Sequence, residues 1–118
     1  MRRQPAARNS PLDPASIVNV IVVGVGAFGR NHARVYKELE QQGEPLRLLG
    51  VVDRDVSRAD AVAREFNCRS FGSLDQLLTT HSEVQAASVT VPTVDHLAAA
   101  RVLMESGVDV LIEKPLAT

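Results

Sequence analysis

The sequence predicts an α/β protein, a doubly wound parallel sheet of about five strands with helices on both faces. Three observations predict it. Apolar stretches alternate with amphipathic ones in the order β-α-β-α-β-α-β-α-β, the third strand being short. That order calls for a parallel sheet with right-handed crossovers. The main strand stretches are apolar nearly throughout instead of alternating, as strands covered on both faces are. Clusters of Gly, Asp, Pro and Lys fall at the carboxyl ends of those strands, which is where open α/β sheets bind ligands.

The elements follow in order. Residues 17–23 (IVNVIVV) are the first strand. Phe28, Val35, Tyr36 and Leu39 recur at helical spacing over 28–42, and Gly43 and Pro45 stop that helix. Residues 46–52 (LRLLGVV) form the second strand and end at Asp53. Asp55 or Ser57 caps the next helix, which carries Ala59, Val62, Ala63 and Phe66 on one face. Residues 69–71 are a short extended piece. Ser73 opens another helix with Gln76 three residues on, as in a capping box. That helix buries Leu74, Leu77 and Leu78. Residues 86–91 are the third full strand, ended by Pro92. Thr93 caps a helix over 94–106 with Leu97, Ala100, Val102, Leu103 and Met104, and Gly107 stops it. Residues 108–112 are the last strand, followed at once by Glu113, Lys114 and Pro115.

At 118 residues the chain has room for one domain and one core. Apolar residues make up 45% but aromatics only 3%, so the core is built from Val, Leu, Ile and Ala. A formal net charge of -1 provides no attraction to nucleic acid or to a membrane surface. No apolar run approaches the roughly 20 residues that cross a bilayer. The single cysteine, Cys68, excludes an internal disulfide framework. No histidine–carboxylate set has metal-ligand spacing, so no metal is expected. Nothing argues for export, and the cytoplasm is the expected compartment. Residues 1–16 hold Arg2, Arg3 and Arg8 with Pro5, Pro11 and Pro14. Three prolines oppose the amphipathic helix of a transit peptide. A disordered tail is expected there, with the folded domain over 17–118.

The stretch 20–29 (VIVVGVGAFG) carries the most chemistry. Its G-x-G-x-x-G follows a strand and opens a helix, the setting of a dinucleotide-binding turn. Gly24 allows the sharp turn, Gly26 leaves the backbone open to a pyrophosphate, and Gly29 lets the helix lie close to the strand. Ala27 and Phe28 complete the turn. The phosphates would sit on the N–H groups of the helix start, favoured by its dipole. Asp53 ends the second strand, 24 positions after Gly29. Its carboxylate suits the two adenosine ribose hydroxyls and repels a 2′-phosphate, which favours NAD. The alternative is a solvated turn acid. Arg54 either stacks on adenine or pairs with a 2′-phosphate, so NADP use stays open.

Val91, Pro92 and Thr93 leave the third full strand near the expected pyrophosphate or nicotinamide ribose. His96, in the first turn of the next helix, is expected to orient or pack and not to act as a base, because a helix N-terminus disfavours imidazolium. His32 is expected as a packed or partly exposed helix residue, not a catalytic one, and His81 as a solvated loop residue. Glu113 and Lys114 follow an apolar strand directly, and Pro115 rigidifies that turn and is a place for a cis bond. An ammonium at Lys114 can polarise a reacting hydroxyl or carbonyl. The spacing is equally that of an ordinary Lys-Pro strand exit.

The segments GVGAFG (24–29), VVD (51–53), VPTVDH (91–96) and VDVLIEKPLA (108–117) together resemble the Gfo/Idh/MocA oxidoreductases, the family of glucose–fructose oxidoreductase and inositol dehydrogenase. The resemblance covers about residues 20–118, and the Glu-Lys-Pro segment is its specific part. It implies a Rossmann-like domain holding NAD, with hydride exchange with a sugar, nucleotide sugar or cyclitol hydroxyl. It implies Lys114 as the catalytic lysine facing substrate and nicotinamide, and Glu113 at the cofactor ribose. Val91 departs from the threonine common before the proline, a change that a backbone contact survives. FGRNHARVY and AREFNCRSFGSLDQLL resemble members acting on nucleotide sugars, such as UDP-N-acetylglucosamine 3-dehydrogenases. The resemblance also implies a C-terminal α/β substrate domain, bearing a catalytic Asp and His, that these residues do not contain. The chain by itself is therefore expected to be inactive, with a sugar-type substrate only where that domain is supplied. A non-catalytic nucleotide-binding or interaction module is the alternative. The last strand is expected as an exposed edge near Leu111 that invites self-association.

Overall fold

A computed structural model describes residues 17–91 and 93–112. The expectations for 1–16, Pro92, Glu113, Lys114 and Pro115 fall outside the described residues. Nine elements alternate: β1 (Val18–Val23), α1 (Ala27–Gln41), β2 (Leu46–Val52), α2 (Val56–Phe66), β3 (Arg69–Phe71), α3 (Leu74–Thr80), β4 (Ala86–Val89), α4 (Thr93–Glu105) and β5 (Asp109–Ile112). The strands form one sheet in the order β3-β2-β1-β4-β5, every neighbour parallel. The chain winds outward from β1 through β2 to β3, then returns to the other side of β1 for β4 and β5. The strand order reverses at β1, which makes the gap between the β1 and β4 ends the binding crevice of such a sheet.

Two apolar layers hold the helices. Val20, Val22, Leu48 and Val51 pack against Ala33 of α1 and against Ala59, Val62, Ala63 and Phe66 of α2. On the other face Ile21, Val23, Val52, Ala87 and Val89 meet Leu77 of α3 and Leu103 of α4. Burying a side chain such as Ile21 or Leu77 completely contributes roughly 1.5–3 kcal/mol. The β1–β2 register slips between Val20 and Ile21, so Leu49 is the extra residue of a bulge. The slip changes face mid-strand, and Leu48 and Val51, three apart, therefore reach the same layer. Ser88 is the one polar residue among the fully buried side chains described, and its hydroxyl meets the Tyr36 hydroxyl at 2.5 Å.

The helix starts follow the capping residues. Asp55 caps α2, accepting from the Arg58 N–H at 3.1 Å, and Ser73 caps α3, accepting from the Gln76 N–H at 3.1 Å. Asn67 ends α2 in the left-handed region (φ 54°). Thr93 is the first residue inside α4, one place further in than the capping position expected for it. Among the described residues, no helix is long and apolar enough to cross a membrane.

Three expectations about side chains are corrected. Phe28 and Val35 are exposed, and α1 packs through Gly29 and Ala33 instead. Small residues let that helix approach the sheet more closely than the larger apolar ones would. Leu97 and Met104 lie seven apart on the outer side of α4, with Ala100 and Leu103 turned inward. His81 is not solvated. It ends α3 with its ring edge-on to Phe71 at 5.8 Å and its Nδ1 3.2 Å from Glu83. At the sheet edge, Leu111 of β5 is 57% exposed, as expected for it.

Cys68 follows α2 beside Lys37 and Glu40. Burial pushes its thiol from 9.0 up to about 11, with Lys37 opposing the shift and Glu40 adding to it. The folded chain thus keeps the proton longer than the unfolded one. Stability from this group is complete below pH 9 and falls as pH rises towards 11. Alkylation below pH 9 is expected to run roughly a hundredfold slower in the folded than in the unfolded chain. Iodoacetamide rates across that pH range, with and without urea, check this; equal rates contradict it.

Candidate dinucleotide site at the switch point

The turn between β1 and α1 is shaped by three glycines with three different surroundings. Gly24 has φ +89°, a conformation that side-chain-bearing residues rarely adopt, and its N–H donates to the Val52 carbonyl at 2.7 Å. Gly29 packs so tightly that a Cβ there would lie 1.8 Å from the Gly24 carbonyl oxygen. Gly26 is different. A Cβ on it would meet only the Arg58 guanidinium, at 3.9 Å, and otherwise open space. Its φ of −67° is ordinary for any residue. Neither packing nor backbone strain demands glycine at 26. Gly26 is also the N-cap of α1 and brings no side chain to the helix's first N–H groups.

Asp53 locks this turn from the end of β2. One carboxylate oxygen accepts from the Val25 N–H at 2.9 Å, and the other accepts from the Asp55 N–H at 2.9 Å. Its side chain is only 11% exposed. A solvated turn acid is therefore not what Asp53 is; it ties the first loop to the second. Arg58 lies beside it, with Nη1 3.7 Å from the same Asp53 oxygen that holds Val25. Thr90, just past β4, donates its hydroxyl to the Gly24 carbonyl and approaches the Val23 carbonyl at 3.3 Å. Sequence reasoning passed over both Arg58 and Thr90. The signals were there: Arg58 stands one helical turn past the cap Asp55, and Thr90 is a hydroxyl at the exit of an apolar strand.

A cleft of about 300 Å³ opens beside this turn. Val23 and Val52, Asp53 and Arg54, Ser73 and Leu74 at the start of α3, and Val91 with Ala99 of α4 are among the residues that line it. The fold thus brings Gly24, Gly26, Ala27, Phe28, Gly29, Asp53, Arg54 and Val91 to one end of the sheet. Ala27 and Phe28 are exposed on the first turn of α1. His96 is half-buried on α4 and stands outside the described lining of the cleft. The geometry fits a dinucleotide: an apolar slot, an acid at its rim, and a glycine whose missing side chain leaves room beside helix-start N–H groups. Among the described residues, no group of three or more His, Cys, Asp or Glu is placed to hold a metal ion.

Comparison with known families agrees with this geometry. A family model described as "Oxidoreductase family, NAD-binding Rossmann fold", that of Gfo/Idh/MocA, matches residues 18–118. The chain belongs to the Gfo/Idh/MocA oxidoreductases. It is this family's NAD-binding Rossmann domain. Over 94 residues it is 47% identical to UDP-N-acetylglucosamine 3-dehydrogenase of Acidithiobacillus ferrooxidans, a match covering 80% of this chain and 27% of that protein. The crystal structure of that dehydrogenase, GnnA, superposes with a TM-score of 0.71 at 44% identity, over 82% of this chain and 29% of the other. GenD2 from gentamicin A biosynthesis, solved with NAD, superposes with a TM-score of 0.73 at 34% identity, over 84% of this chain and 27% of the other. The chain thus spans about a quarter of the length of these Gfo/Idh/MocA relatives. The non-catalytic alternative finds no support among them.

Proposed function

We propose that this chain is the cofactor-binding part of an oxidoreductase acting on a hydroxyl of a sugar or nucleotide sugar. The observation that carries the reading is the bond from the Val25 N–H to Asp53, which ties the loop bearing the open Gly26 to an acid that lines the cleft. Gly26, Ala27 and Phe28 would hold the pyrophosphate through main-chain N–H groups, on a turn that Gly24 shapes with its own N–H given to Val52. Asp53 would accept from the adenosine ribose hydroxyls, and its bond to the Val25 N–H aligns the turn beforehand. Arg54 and Val91 would flank the adenine in the apolar slot. Pro92, Thr93 and His96 would lie towards the nicotinamide ribose, and Glu113 and Pro115 would complete the cofactor's surroundings. When bound, the nicotinamide supplies the hydride acceptor or donor.

Lys114, two residues past β5, is the proposed catalytic group. Its Nζ would hydrogen-bond the reacting oxygen and hold the proton that moves as hydroxyl becomes carbonyl. The resemblance to a nucleotide-sugar dehydrogenase over most of this chain supports that substrate class. The Rossmann fold leaves the choice of substrate to residues elsewhere in the protein. The expected result is tight NADH binding by calorimetry, weakened roughly a hundredfold in Asp53→Ala as the carboxylate's bonds to ribose and to Val25 are lost. A protein that is folded by circular dichroism and binds neither NADH nor NADPH would sink the reading.

A further inference from the structure

The peptide group that joins Gly24 to Val25 is held at both ends by side chains from other strands. Its N–H donates to Asp53 Oδ2, at the end of β2, at 2.9 Å. Its carbonyl accepts the hydroxyl of Thr90, at the exit of β4. β2 and β4 flank β1 in the sheet, so the turn that leaves β1 is pinned from both sides. The Val23 carbonyl already accepts the Thr90 main-chain N–H at 2.8 Å, which leaves the hydroxyl proton for Gly24. Gly24 is buried, and its carbonyl oxygen is turned in under α1, 1.8 Å from where a Gly29 Cβ would be. The β4 exit lies against it as well, with the Val91 nitrogen 2.8 Å from where a Gly24 Cβ would be. A carbonyl enclosed in this way needs a donor from the protein, and Thr90 supplies it.

We infer that Thr90 is a positioning residue for the dinucleotide: its hydroxyl, with Asp53 opposite, fixes the direction of the Gly24–Val25 peptide and so presets the N–H groups that follow it. The peptide on the C-terminal side of a glycine turns over with little steric resistance. Turned over, it would set the negative end of its carbonyl beside the Asp53 carboxylate and take the N–H away from it. The loop carrying Gly26, Ala27 and Phe28 would then lose its alignment for an anion. The branched Cβ of threonine restricts χ1, which keeps the hydroxyl aimed at the carbonyl before any ligand arrives. The inference rests on the cofactor reading above and adds a residue that reaches the turn from β4 without touching the cofactor.

Three substitutions separate the hydroxyl from the rest of the side chain. Thr90→Val keeps the branch and removes the donor, Thr90→Ser keeps the donor, and Thr90→Ala removes both. Amide hydrogen exchange by NMR without ligand and calorimetry with NADH test each of them. In Thr90→Val and Thr90→Ala the Val25 amide is expected to exchange roughly tenfold faster, the scale of one lost buried hydrogen bond, while the Ile21 and Val22 amides at the centre of β1 keep their rates. NADH affinity should fall by about the same factor, as the competent turn becomes less populated. Thr90→Ser should stay close to wild type in both measurements. Unchanged Val25 exchange and NADH affinity in Thr90→Val and Thr90→Ala overturns the positioning role while NADH binding by the wild type upholds the cofactor reading. So does a Thr90→Ser as impaired as Thr90→Val, which would assign the effect to the methyl group, or an equal rise in exchange across the sheet, which would make Thr90 a residue of general stability. A folded wild type that binds neither NADH nor NADPH overturns the cofactor reading and the role within it together.

Discussion

Gly29→Ala is expected to destabilise the domain by at least about 3 kcal/mol, the upper end for an overpacked core. The added Cβ would lie 1.8 Å from the Gly24 carbonyl oxygen, 2.7 Å from its carbon and 2.6 Å from the Thr90 hydroxyl oxygen. Two of these three atoms are backbone and cannot turn aside. The strand exit, held to β2 by the Gly24 N–H, would have to move away from α1. For a domain of this size the loss corresponds to a melting point lower by more than about 10 °C. Removing the Thr90 clash as well, with Thr90→Ala, is not expected to restore stability, because the carbonyl contact remains. A thermal melt unchanged in Gly29→Ala would contradict the close approach of α1 to β1.

Gly26→Ser is expected to separate folding from binding. The residue has an ordinary φ of −67°, its Cβ meets nothing nearer than Arg58 at 3.9 Å, and it sits at the N-cap of α1. Serine is favoured at that position because its hydroxyl accepts from a free helix-start N–H. The melting temperature should therefore hold or rise. The same hydroxyl and Cβ would fill the space proposed for the pyrophosphate and take up one of the donors proposed for it. NADH affinity should fall roughly ten- to a hundredfold, as overpacking and a lost main-chain contact together require. Calorimetry and a melt on the same preparation check both halves. Unchanged NADH affinity would place the pyrophosphate elsewhere, and a lower melting temperature would assign Gly26 to folding.

Much of this was legible in the residue order. The alternation of apolar strands with amphipathic helices determined a parallel sheet, because only crossover connections bury both faces of such strands. The caps Asp55 and Ser73 and the breaks at Gly43 and Gly107 marked element ends, because their chemistry acts within a few residues. The glycine turn and Asp53 could be found for the same local reason, and the family resemblance rested on motifs of this kind. The sheet order and the two-layer core decided the rest. The bulge at Leu49 shifted which residues of β2 share a face, and close packing at Gly29 and Ala33 left Phe28 and Val35 outside. His81 was drawn against Phe71 by an edge-on ring contact no spacing announces. Asp53 turned out to be a brace for the glycine turn as well as an acid at its rim, and Arg58 and Thr90 joined the site from other elements. Contacts between residues 28 or 66 positions apart depend on where crossovers return the chain, and that is settled only when the sheet closes.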